Sequence, residues 1–66
     1  MKITINGQSK QFDQIQSLEE LIHQFSPQNK RVIAEVNGEI VKSNTWAKKT
    51  VSEGDVIELV SFVGGG

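Results

Sequence analysis

The residues best suited to chemistry are three consecutive glycines, Gly64-Gly65-Gly66, at the end of a 66-residue sequence. Without side chains they reach about 10 Å, at roughly 3.3–3.6 Å per residue, as a thread narrow enough to enter another protein's active site. A free α-carboxylate at Gly66 is ionised at neutral pH. It can attack an activated phosphate, but it is inert as an acyl donor until it bears a good leaving group. The plain alternative is a frayed terminus without a role.

The remaining chemistry-bearing side chains offer less. His23, the only histidine, falls on the solvent side of an expected helix, with no metal-ligand spacing and no nucleophile near it in sequence. Glu19 and Glu20 are adjacent, point in different directions on a helix, and suit its first turn, where negative charge favours the dipole. Lys48-Lys49 reads as a solvated pair and Trp46 as a core anchor. The chain has no cysteine. Zinc clusters, disulfides and thiol catalysis are thereby excluded, and a reducing cytoplasm is the expected location. No catalytic residue, metal site or bound cofactor is expected, so the chain reads as a non-enzyme.

Size and charge agree with that. Sixty-six residues allow one domain with one core. Lys plus Arg number 7 and Asp plus Glu 8, for a net charge of −1, with the signs interspersed. Neither nucleic acid nor a membrane is an expected partner, and no apolar run is long enough to span a bilayer.

The elements that would position the glycines can be read from local chemistry. Met1 to Ile5 alternates apolar and polar, and Asn6-Gly7 supplies a two-residue type I′ turn. Its register sets Ile5 against Gln8, Ile3 against Lys10 and Met1 against Phe12. Lys10 then points coreward on an edge strand and snorkels outward. Ser17-Leu18-Glu19-Glu20 reads as a capping box. Leu18, Leu21, Ile22 and Phe25 follow at helical spacing as one apolar stripe, and Pro27 is expected to stop the helix. Val32, Ala34 and Val36 form one face of a further strand, with Ile33 and Glu35 on the other. A second I′ turn at Asn37-Gly38 returns the chain so that Ile40 opposes Glu35 and Val41 opposes Ala34.

Residues 42–50 read as a polar crossing anchored by Trp46, and Ser52 to Asp55 as a turn. The last strand, Val56 to Val63, is the most apolar segment and is expected to be central. Ile57 and Leu59 are assigned to the face under the helix, and Val56, Glu58, Val60 and Phe62 to the opposite face. If this strand lies beside the one beginning at Val32, then Ile33, Ile40, Val60 and Phe62 make an exposed apolar patch at the root of the glycine thread. Such a patch suits a docking surface. The expected organisation is one α+β domain over residues 1–63, with a flexible tail at 64–66.

Taken together, the early Asn-Gly hairpin, the short helix, Gly54-Asp55-Val56-Ile57-Glu58-Leu59 and the terminal Phe62-Val63-Gly64-Gly65-Gly66 resemble the ThiS family, bacterial sulfur carriers of thiazole formation in thiamine biosynthesis. The resemblance covers the whole chain. It implies a ubiquitin-like β-grasp fold, with first and last strands parallel at the sheet centre and a helix across them. It also implies three partners: a ThiF-like (E1-like) adenylyltransferase that uses ATP on the Gly66 carboxylate, a cysteine desulfurase that is the indirect sulfur source, and a ThiG-like thiazole synthase that takes sulfur from the Gly66 thiocarboxylate. In that cycle Gly64 and Gly65 thread the tail into the partners' sites, and Ile33, Ile40, Val60 and Phe62 form the partner-binding patch. The competing readings are a carrier like the small subunit of molybdopterin synthase, a ubiquitin-like protein modifier, and a passive β-grasp binding module.

Overall fold

The protein is described by a computed structural model, which covers residues 1–14, 16–26 and 31–62. Two tight hairpins frame a single sheet. β1 (Lys2–Ile5) and β2 (Gln8–Gln11) are joined at Asn6-Gly7, and β3 (Arg31–Val36) and β4 (Glu39–Val41) at Asn37-Gly38. Both turns carry positive φ at each central residue, 50° and 80° in the first and 53° and 87° in the second. That is the I′ geometry, whose twist matches the strands it connects. The registers follow: Ile5 pairs with Gln8 and Ile3 with Lys10, while Ala34 pairs with Val41 and Glu35 with Ile40.

The last strand, β5 (Val56–Phe62), inserts between the hairpins and gives the order β2-β1-β5-β3-β4. It runs parallel to β1, with Thr4 opposite Val56, and antiparallel to β3, with Ile33 opposite Val60. First and last strands thus occupy the sheet centre, and the most apolar segment takes the position with most neighbours.

The helix α1 (Leu18–Phe25) begins at an N-cap, Ser17, whose hydroxyl accepts from the Glu20 amide at 3.2 Å. The Glu20 carboxylate in turn accepts from the Ser17 amide at 3.1 Å. Both halves of the capping box are formed, satisfying donors that the first turn would otherwise leave open. Leu18, Leu21 and Ile22 are buried against Ile3, Ile5, Ala34, Val36, Ile57 and Leu59, so one face of the sheet is closed by the helix. Each leucine, isoleucine or valine side chain so buried contributes about 1.5–3 kcal/mol.

Phe25 departs from the expected stripe, being 39% exposed. As the last helical residue it lies at the margin of the core, where its ring meets Phe12 edge-on at 6.2 Å and the Lys10 ammonium sits 5.7 Å from its centroid. Lys10 therefore leaves the coreward side of β2 across an aromatic face. The helix closes at Ser26, whose amide donates to the Ile22 carbonyl. Pro27, expected to stop it, lies outside the described residues, as does Val63 at the expected end of the last strand.

The crossing from β4 to β5 holds one 3-10 turn, Ser43–Thr45, and is tied down by Trp46, whose Nε1 donates to the Val41 carbonyl at 2.9 Å. Val51, a core residue that periodicity did not single out, is 1% exposed. Its amide donates to Gln16, and the Leu18 amide donates to Lys49, so the crossing is laced to the segment that starts the helix.

Candidate docking face and carrier terminus

The face of the sheet opposite α1 has no covering layer among the described residues. Ile33 (43%), Ile40 (69%), Val60 (56%) and Phe62 (42%) are all exposed there, and Val56 (45%) joins them. Alternation produces this arrangement: in β5 the buried Ile57 and Leu59 are interleaved with Val56, Glu58, Val60 and Phe62, and in β3 the buried Ala34 and Val36 with Ile33 and Glu35. The register then decides which of them touch. Ile33 and Val60 are direct cross-strand neighbours, and Phe62 lies across from Arg31. Ile40 lies across from Glu35, which puts it diagonal to Ile33 rather than beside it. Sequence reasoning placed Val56 on this face but left it out of the patch.

The end of β5 that carries the patch also leads toward the glycines. β1 accompanies β5 only as far as Ile57. There the turn residue Asn6 takes over: its amide donates to the Ile57 carbonyl at 2.9 Å, and its side-chain oxygen accepts from the Leu59 amide at 2.7 Å. Beyond Leu59, β5 pairs with β3 alone, through Phe62 opposite Arg31. At the other end Asn37 performs the matching task. Its Oδ1 accepts from the Val56 amide at 2.9 Å, and its Nδ2 donates to Asp55 at 3.0 Å. Each I′ turn thus contributes a side chain that pins the central strand, a role invisible in the Asn-Gly dipeptides as turn signals. Gly64, Gly65 and Gly66 lie outside the described residues.

The other sequence candidates are separated from this face. His23 is exposed on the helix, on the opposite side of the sheet. Glu20 is occupied by the capping box, and Lys48 and Lys49 are exposed in the crossing. Among the described residues no helix is long and apolar enough to cross a membrane.

A five-stranded sheet with parallel central strands, one helix across one face and the other face open defines the class: a ubiquitin-like β-grasp protein. Comparison with known proteins resolves it further. Residues 3–66 match the ThiS family, a span that takes in all three terminal glycines. The crystal structure of a thiamine biosynthesis protein (ThiS) from Geobacter metallireducens superposes with a TM-score of 0.81 at 30% identity, covering all of both chains. The sulfur carrier protein ThiS of Bacillus subtilis is 38% identical over 50 residues, 76% of each protein. A thiazole synthase from Paramagnetospirillum magneticum is 36% identical over 66 residues, and the chain spans 20% of that protein's length. This chain belongs to the ThiS family, the sulfur carriers of thiamine biosynthesis.

Proposed function

We propose that the working group of this carrier is the α-carboxylate of Gly66, and that the open sheet face is where its enzymes hold it. A carboxylate oxygen attacks the α-phosphorus of ATP in a ThiF-like adenylyltransferase, pyrophosphate leaves, and an acyl-adenylate forms. The terminal sulfur of a protein persulfide, made from cysteine by a desulfurase, then displaces AMP at the carbonyl carbon to give an acyl disulfide, and a thiol reductant cleaves its S–S bond, leaving the thiocarboxylate and a disulfide. A ThiG-like thiazole synthase takes that sulfur. ATP is consumed by the partner; the chain itself supplies no catalytic side chain and binds no cofactor. Glycine suits the tail because no Cβ obstructs the incoming sulfur nucleophile.

The observation that carries the reading is the ThiS match through residue 66, coupled with an exposed apolar strand end at Phe62, two positions before the first of the three glycines in sequence. The thiazole synthase that contains a segment 36% identical to this chain supports the choice of acceptor enzyme. Incubation of the protein with the adenylyltransferase, ATP and a sulfur source, followed by mass spectrometry of the C-terminal peptide, tests it. One oxygen replaced by sulfur at Gly66 is expected, and an unmodified Gly66 contradicts it. Transfer is tested separately, by asking whether purified thiocarboxylate protein supports thiazole formation by the synthase.

A further inference from the structure

The outer face is not uniformly apolar. The register sets Glu35 of β3 directly opposite Glu58 of β5. Both point away from the helix, because the residues alternating with them, Ala34, Val36, Ile57 and Leu59, are buried. Directly opposed residues in an antiparallel pair hold their Cβ atoms about 4.5–5.5 Å apart, and like charges so placed destabilise a sheet. Among the described residues neither carboxylate accepts a side-chain hydrogen bond. The other cross-strand neighbour of Glu35 is Ile40, and on the far side of Glu58 the pairing with β1 has already ended at Ile57. The side-chain hydrogen bonds to carboxylates among the described residues go to Glu20, Glu53 and Asp55 instead.

The pair also sits in the middle of the face. Ile33 and Val60 form the next row toward Phe62, Ile40 flanks Glu35, and Val56 precedes Glu58 on its own strand. A protein that covers Ile33 and Val60 must also desolvate Glu35 and Glu58 or abut them. Carboxylates removed from water without a counter-charge are strongly unfavourable, whereas a planar guanidinium can donate to both in a forked geometry.

We propose that Glu35 and Glu58 together form the recognition key of the docking face, receiving an arginine that the adenylating partner presents within an apolar rim. The inference rests on the docking role proposed above for the same face. The like-charged pair weakens the free carrier and is relieved when the arginine arrives, so partner choice is written in charge while contact area comes from Ile33, Val60 and Phe62. A second copy of this chain fits the face less well, since it brings two further carboxylates to it.

The test compares the wild-type chain with E35Q, E58Q, the double variant E35Q/E58Q and V60S. Thermal unfolding and binding to the ThiF-like adenylyltransferase are measured at low and high salt, with sedimentation of the carrier alone. The double variant is expected to melt about 2–5 °C higher than wild type, as removal of an opposed like-charge pair predicts. Its Kd is expected to rise about tenfold at low salt, with most of the salt dependence lost. Unchanged Kd and salt dependence in the double variant, with weakened binding by V60S, overturns the arginine key and leaves the docking face standing. Unchanged binding in all variants removes the docking face, and the key with it. Self-association of the carrier that strengthens in E35Q/E58Q assigns the face to a second copy and likewise overturns the proposal.

Discussion

Asn6 and Asn37 show how much one residue type carries in a chain this small. Each adopts positive φ, 50° and 53°, which asparagine tolerates better than most residues. Each also turns its side-chain oxygen onto a β5 amide, at Leu59 or Val56. Asn37→Gly keeps the turn conformation and deletes only the side-chain bonds to Val56 and Asp55. It is expected to lower the unfolding free energy by about 1–2 kcal/mol, read as a lower urea midpoint with unchanged slope; an unchanged midpoint would show those bonds to be idle. Leu21, fully buried on the sheet-facing side of the helix, sets the upper end of the scale. Leu21→Ala is expected to cost about 2–5 kcal/mol, a large share of the roughly 3–10 kcal/mol available to a domain of this length. Calorimetry should find it partly unfolded at physiological temperature, and a shift of only a degree or two would contradict the core assignment.

At the scale of elements, α1 depends on its cap because eight residues are too few to hold a helix unaided. Ser17→Ala is expected to destabilise the protein by about 1 kcal/mol, and Ser17→Asp, which keeps an acceptor at the N-cap, to recover most of that in the same denaturation experiment. This element, like both hairpins, was legible in the sequence because its determinants are local: a hydroxyl three residues before a glutamate, or an Asn-Gly between alternating strands. The inner and outer faces of β3 and β5 were legible for the same reason, since alternation alone sorts Ala34 and Leu59 from Ile33 and Val60. What stayed hidden depends on long-range register. The opposition of Glu35 and Glu58 exists only once β5 lies against β3, and no local pattern fixes that pairing. Val51 was missed because one apolar residue between Thr50 and Ser52 has no period to reveal it; its burial follows from the hydrogen bonds that lace the crossing to Gln16 and to Leu18. Phe25 was over-assigned, because helical spacing says which side a residue faces but not how far the sheet extends beneath it.

As a whole molecule the protein is divided in two by its sheet. The helix side is closed and supplies stability; the other side is open and apolar around two carboxylates, and the strand that ends on it leads to the glycines. Loss of contact area should therefore separate from loss of fold. Val60→Ser together with Phe62→Ser is expected to weaken binding to the adenylyltransferase by at least about tenfold, in line with removal of two apolar anchors, while the melting temperature changes by only a few degrees. Equal affinity for the double variant and wild type would contradict the docking role. Removal of Gly66 should do the converse: the core closes among residues 3–59, so stability is retained while modification is abolished. The most direct measurement is the mass of the C-terminal peptide after the intact protein has met its adenylyltransferase, ATP and a sulfur source. A single exchange of oxygen for sulfur, localised to Gly66, is expected. An unmodified terminus, or Gly66 joined to lysine side chains as an isopeptide ladder, would contradict it.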